Sequence, residues 1–389
     1  MPERVSRNAG FVLAAFAFLV TMVGTTLPTP LYPLFEERYS FGELTVTVVF
    51  AVYAFGVIAG LLLFGNLSDE IGRKPVLLLG LGLSALSAFL FLFAGSLAPI
   101  YAGRVVSGLS AGIFTGTATA TLVDLAPGGR RRLGSLVAVI VNVGGLGLGT
   151  LLAGLLADHA RSPLRVPFLV DLVLLVPAIV GLLLIPETVP RRRLRVRLQR
   201  LTVPAEVRGV FVRGGAAGFG SFAVAGVFSS IAPAFLARVL GDTSHTLAGA
   251  VVFILFSASV LGQLVVSRLS DRQALLWGCV LLAAGVGLLA LALGLESLTT
   301  LIASACVVGL GQGLALGGAL AAINQRAPVE RRGETASSFF VVMYVGLSVP
   351  VIGAGVAVYY IGLRPAGLVF SAAVALLVLL VLASLFRTD

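Results

Sequence analysis

Twelve apolar runs divide this chain, and nothing else in the sequence constrains its fold so strongly. A helix rises 1.5 Å per residue, so about 20 apolar residues cross a hydrocarbon core about 30 Å thick. The runs lie near 10–34, 43–64, 76–95, 98–124, 134–157 and 165–185, then near 208–236, 246–267, 274–295, 298–323, 335–358 and 363–386. Charged residues make up only 11% of the chain, where a soluble protein carries about a quarter. That is too little polar surface to cover a water-facing globule. The sequence therefore specifies an all-α membrane protein.

The first run follows a short basic start, Arg4 and Arg7. It is longer than a signal-peptide core and lacks a small-residue cleavage site at its far end, so it reads as the first transmembrane helix. Charge gives the orientation. With the N-terminus inside, the inner loops collect 21 Arg and Lys residues and the outer loops keep 5: Arg38, Arg161, Arg165, Arg238 and Arg364. This asymmetry places both termini in the cytoplasm of a multi-pass protein of the cell (inner) membrane. The net charge of +10 then reflects orientation on a lipid bilayer rather than a nucleic-acid partner. Cys279 and Cys306 both lie in apolar runs and read as packing residues, and no Cys/His spacing suggests a metal.

The stretch Pro186 to Pro204 carries six arginines and three prolines. It reads as a basic linker resting on anionic headgroups. It sets the expected domains: residues 1–185 as one six-helix bundle, 186–207 as cytoplasmic linker, 208–389 as a second bundle. The halves resemble each other in sequence. Gly108, Gly112 and Gly116 recur 201 residues later as Gly309, Gly313 and Gly317, and Ala126-Pro127 recurs as Ala327-Pro328. Leu67-Ser68-Asp69 recurs as Leu269-Ser270-Asp271, shifted by one more residue. Agreement at one offset marks a tandem duplication, and parallel six-helix repeats are a transporter architecture.

Between the second and third runs, Gly65-x-Leu67-x-Asp69-x-x-Gly72-Arg73-Lys74 matches six positions of a fixed pattern. It resembles the signature loop of the major facilitator superfamily, and the six-plus-six organisation extends that resemblance over essentially the whole chain. The resemblance implies a fold of twelve transmembrane helices in two pseudo-symmetric bundles. It also implies a conformational latch. Asp69 would dock on the start of the eleventh helix, Gly333-Glu334-Thr335, and an Asp69, Arg73, Asp124 network would hold the inner face closed. The second copy keeps Asp271 but loses the glycine, arginine and lysine, which leaves a weaker mirror latch.

Arg104 sits about 9 Å into the fourth run at the helical rise, where an arginine is costly unless it is paired or wet. Asp171 in the sixth run is the acid at similar depth, so an Arg104–Asp171 pair is expected. It serves either as a structural ion pair or as a proton site. Arg104-x-x-x-Gly108-x-x-x-Gly112 also resembles the family's helix-four motif, whose arginine is associated with proton coupling. Gly145-x-x-x-Gly149 and Gly309-x-x-x-Gly313 are small-residue faces for close helix packing. The segment Gly145 to Gly154 resembles the family's antiporter motif, with Thr150 and Ala153 as departures. Pro186-Glu187-Thr188 resembles the ending of the sixth helix in drug exporters. Pro28 to Pro33 would loosen the outer end of helix one. Thr25, Tyr53, Asn142, Gln263, Gln312 and Tyr344 are the candidate lining of a weakly polar substrate cavity.

These features describe a secondary transporter working by alternating access, without cofactor or metal and not an enzyme. The expected cargo is a small amphipathic or weakly polar molecule, exported by a monomer in exchange for protons. Uptake by proton symport is the alternative; a nontransporting sensor or a membrane-embedded enzyme stands further off. The orientation has a direct check. A fluorescent protein fused after Asp389 should fold and emit, and a periplasm-dependent phosphatase fused there should stay inactive; the reverse pattern refutes cytoplasmic termini.

Overall fold

The computed structural model describes residues 6–64, 67–189, 201–328 and 331–387. Among them, twelve helical segments are long and apolar enough to cross a membrane. The first span is interrupted: α1 (Arg7–Thr26) gives way to a 3-10 turn at Thr29–Leu31 and then α2 (Tyr32–Tyr39). Pro28, Pro30 and Pro33 lack amide donors and end the first helix, as the sequence suggests. Next come α3 (Glu43–Phe64), the short α4 (Leu67–Ile71), α5 (Arg73–Leu92), α6 (Leu97–Leu125), α7 (Arg131–His159) and α8 (Val166–Leu184).

The second series opens with α9 (Arg208–Ser230) and α10 (Ala232–Arg238), broken around Ile231 where the first series breaks at its prolines. It continues with α11 (His245–Val266), α12 (Asp271–Leu295), α13 (Leu298–Arg326), α14 (Arg332–Ile361) and α15 (Leu363–Phe386). The structure resolves into two compact units. One comprises Met1–Pro28 with Val52–Arg200; the other comprises Thr29–Ala51 with Leu201–Asp389.

Within the first unit α1 packs on α6, α7 and α8, while α5 packs on α6 and α8. Within the second, α9 packs on α13, α14 and α15, and α12 packs on α13 and α15. Position by position these are the same pairings, so the duplication read from glycine spacing is also a duplication of packing.

Lipid tails are as apolar as leucine, so helices in a bilayer associate through close packing rather than through water exclusion. Glycine rows supply that closeness. A Cβ on Gly112 would lie 2.6 Å from the Val57 carbonyl oxygen, and Gly108 presses likewise on the Tyr53 carbonyl. In the second unit Gly309 faces the Leu255 carbonyl and Gly313 the Ser259 carbonyl. Leu255 and Ser259 stand 202 residues after Tyr53 and Val57, so even the contact partners repeat. Gly145 and Gly149 bring α7 against Met22 and Val23 of α1 in the same manner. The outward stripes are apolar too: Val173, Val176, Val180 and Leu183 of α8 are all exposed, at helical spacing.

Gly112→Ala drives a methyl into backbone and should cost about 1–3 kcal/mol. Gly116→Ala meets open space. Thermal unfolding in detergent should fall for the first and stay unchanged for the second; equal midpoints would refute the close contact.

Candidate functional site

A polar constellation of the first unit lies where the signature loop meets the ends of α6 and α8. Gly65 itself, and residues 190–200 of the basic linker, lie outside the described residues. Gly72 joins α4 to α5 at φ +102°, a backbone conformation that favours glycine. As N-cap of α5 it has no side chain to satisfy the first amides.

Glu187 supplies that cap from a distant part of the chain. Arg73 N donates to Glu187 Oε1 at 2.8 Å, and Lys74 N to Glu187 Oε2 at 3.2 Å. A carboxylate on the first amides of a helix also meets the positive end of its dipole. Lys74 returns the exchange, its Nζ donating to the carbonyls of Leu183 and Ile185 at the end of α8. Any Cβ on Gly72 would stand 2.8 Å from the Glu187 carboxyl carbon. Close approach and positive φ thus both require glycine here.

Arg73 binds the rest together. Its Nη1 lies 2.7 Å from Asp69 Oδ1 and donates to Ser68 Oγ at 2.9 Å, and its Nε lies 3.5 Å from Asp124 Oδ2. Thr188 Oγ1 donates to the same Asp124 oxygen at 3.3 Å, and Arg7 Nη2 donates to the Asp124 carbonyl at 2.6 Å. Asp69, Arg73 and Asp124 therefore meet. The Asp69 side chain is 63% exposed and that of Arg73 is 15% exposed. Solvent weakens the Asp69 pair, and the shielded guanidinium is the hub. Glu187, Thr188, Arg7 and Ser68 were not read from the sequence as members. The only signal was the Pro186-Glu187-Thr188 ending, an acid just beyond an apolar run.

The second unit solves the same junction differently. Asp271 is the first residue of α12, behind a Ser270/Gln273 capping box. Its Oδ1 accepts from Gln325 Nε2 at 3.4 Å, and Gln325 stands 201 residues after Asp124. Two carboxylates need an arginine between them, whereas a carboxylate and an amide bond directly. The missing arginine of the second copy is thus compensated.

Arg104 is 1% exposed on α6. Its Nη1 donates to the Thr25 carbonyl at 2.8 Å, and its guanidinium lies 4.6 Å from the centre of the Tyr53 ring. Thr25 is in the last turn of α1, where carbonyls lack partners within the helix. A cation there also suits the dipole, and the Tyr53 face adds cation–π attraction.

The expected Arg104–Asp171 ion pair is not formed; among the described residues, no ion pair joins the two. The end of α1 draws the guanidinium away. Asp171, 2% exposed on α8, instead presses on Gly24, where a Cβ would lie 2.7 Å from Oδ2. Its Oδ1 has no hydrogen-bond partner among the described residues. Arg104 and Asp171 thus meet consecutive residues of α1 rather than each other.

The candidate cavity residues divide between the units. Thr25 spends its hydroxyl on its own helix, donating to the Met22 carbonyl at 2.7 Å. Tyr53 lies under Arg104, and Asn142 is half-buried on α7. In the second unit Gln312 is 4% exposed, and Gln263 is half-buried. Gln312 Oε1 and Gln263 Nε2 have no hydrogen-bond partner among the described residues. Tyr344 stacks edge-on to Phe222, ring centres 5.8 Å apart.

The family model of the Major Facilitator Superfamily matches residues 14–349 and again 214–389. The chain belongs to that superfamily, a family of membrane transporters. A chloramphenicol resistance protein of Pseudomonas aeruginosa is 28% identical over 323 residues, 79% of this chain and 74% of that protein. A class H tetracycline resistance protein of Pasteurella multocida is 30% identical over 192 residues, 48% of this chain and 47% of that one. Among solved structures, a nucleoside transporter superposes with TM-score 0.76 over 97% of this chain and 99% of its own, at 14% identity. That likeness concerns the fold alone.

Glu187→Ala removes the cap of α5 and should cost about 1 kcal/mol, read as a lower unfolding midpoint in detergent. Glu187→Gln keeps one acceptor and should fall between. An unchanged midpoint for Glu187→Ala would refute the capping role.

Proposed function

We propose that this transporter exports small amphipathic or weakly polar molecules in exchange for protons. The observation that carries the reading is Asp171: a carboxyl 2% exposed inside a span, facing Gly24, with no ion pair among the described residues. A charge buried without compensation is costly. Protonation relieves that cost and deprotonation restores it, which couples the carboxyl to movement of α1 and α8.

The two relatives are named for resistance to chloramphenicol and to tetracycline; export of a drug would produce such resistance, which makes those drugs reasonable probes. The residues read from the sequence as cargo-facing are uncharged, Tyr53 in the first unit and Gln263, Gln312 and Tyr344 in the second, a chemistry that suits a neutral or amphipathic cargo better than a multiply charged one. The charge cluster around Arg73 acts in this reading as a conformational latch on the cytoplasmic side, tying α4, α5, α6 and the end of α8 into one moving body.

Everted membrane vesicles with an imposed pH gradient test the proposal, using chloramphenicol and tetracycline as probes. Wild-type vesicles should accumulate a probe, and collapse of the gradient should release it. Asp171→Asn should abolish gradient-driven accumulation while passive probe exchange continues. Accumulation only in right-side-out vesicles would replace export by uptake.

A further inference from the structure

The second unit includes the hairpin Thr29–Ala51, hence α2 and the start of α3. Two acids of this hairpin converge on one cation. Glu36 lies on α2, Glu43 is the first residue of α3, and Arg238 is the last residue of α10. Arg238 Nη1 stands 2.6 Å from Glu43 Oε1, and its Nη2 stands 3.7 Å from Glu36 Oε1. The acid side chains are 12% and 11% exposed for Glu36 and Glu43, while that of Arg238 is 58% exposed. Both Oε1 atoms are shut off from solvent and accept no hydrogen bond among the described residues. The guanidinium therefore meets them as an ionic contact rather than through hydrogen bonds. Two carboxylates against one guanidinium leave a surplus negative charge, in a place where surplus charge is expensive.

Two cavities share Glu43. The first is an open groove whose wall also includes Gly42, Thr45, Arg238, Tyr359 and Gly362. The second lies among Tyr32, Glu36, Val46, Ser230 and Pro233. Glu43 lines both, and Glu36 lines only the second. Among the residues lining these two cavities, the other charged and titratable groups are Arg238 from α10, Tyr32 from α2 and Tyr359 from α14 at the groove. The neighbouring part of α9 contributes Ser230, which is uncharged. Further along α2, Glu37 is exposed and Arg38 lies over the Tyr39 ring at 5.9 Å.

We propose that Glu43 and Glu36 form a two-step proton-uptake port on the face predicted to be outer, with Arg238 as its counter-ion. The proposal rests on the proton-coupled reading above and adds where the proton comes in. A proton from the groove binds the Glu43 carboxylate, forming one O–H bond and cancelling one negative charge. Transfer to a Glu36 oxygen carries it into the second cavity and returns Glu43 to its carboxylate state. Whichever acid holds the proton, a single carboxylate then faces a single guanidinium. While Glu43 is neutral its Coulomb attraction to Arg238 is gone, so uptake also loosens the hairpin from α10.

Infrared pH-difference spectroscopy on the purified full chain in detergent reads protonated carboxyls through their C=O stretch, without any transported molecule. Acidification of the wild type should raise this absorption, and Glu36→Gln and Glu43→Gln should each remove part of the rise. Glu36→Asp keeps a carboxyl and should shift the band without deleting it, which guards against loss through misfolding. Spectra of Glu36→Gln and Glu43→Gln that match the wild type would overturn the port. Vesicle transport separates the two ideas. If Asp171→Asn stops gradient-driven accumulation and Glu36→Gln does not, coupling stands and the port fails. If the infrared changes appear but no gradient drives any flux, the carboxyl pair stands as a proton site and proton-coupled export fails.

Discussion

Inside a bilayer no water reaches a stranded backbone carbonyl, and each helix leaves several at its C-terminal end. Among the described residues, six basic side chains of this chain reach carbonyls at such ends. Arg104 donates to the Thr25 carbonyl in the last turn of α1, and Arg7 to the Asp124 carbonyl in the last turn of α6. Lys74 reaches the end of α8, Arg272 the Leu385 carbonyl of α15, and Arg364 the Gly294 carbonyl of α12. Arg332 bonds the carbonyl of Ala327, the C-cap of α13. A cation in that place satisfies an acceptor and complements the helix dipole. The candidate sites arise where such caps also meet an acid. Arg104 ends up one residue from Asp171 along α1, and Lys74 sits beside the Glu187, Arg73 and Asp124 cluster.

The duplication shows which of these contacts the fold needs and which chemistry is free to vary. Leu183 and Leu385 stand 202 residues apart, and a basic side chain reaches the carbonyl of each: Lys74 in one unit, Arg272 in the other. The residue that caps has moved along its helix, and the cap has stayed. The junction of Asp69 and Asp124 through Arg73 becomes a direct bond of Asp271 to Gln325. Glycine contacts change least, because no side chain substitutes for the absence of one where backbones touch. Gly108 and Gly112 meet the second span as Gly309 and Gly313 meet the eighth.

The break of the first span links the buried chemistry to the fold. It ends α1 at Thr26 and so leaves the Thr25 carbonyl for Arg104. It also starts α2 on a new course, which carries Glu36. Prolines at Pro28, Pro30 and Pro33 make both possible by withholding amide donors at consecutive turns.

By itself, the sequence determined what depends on composition and spacing. Twelve apolar runs dictated twelve spans, a fixed offset of glycines dictated two equivalent six-helix series, and the loop from Gly65 to Lys74 pointed to the superfamily. These are legible because each rests on a local rule: the length of a helix across lipid, or the absence of a Cβ at a crossing. Partnerships between distant charges were legible only in part. Asp69, Arg73 and Asp124 were readable because the family pattern pairs them; Glu187 on the amides of Arg73 and Lys74 was not. Arg104 and Asp171 share a depth, which suggested a pair, yet a long guanidinium chooses among every acceptor within its reach. Only the tertiary structure decided that the end of α1 and the ring of Tyr53 outbid Asp171. Depth along one axis is written in the sequence, whereas the direction of a side chain around its helix and the competing acceptors are set by packing.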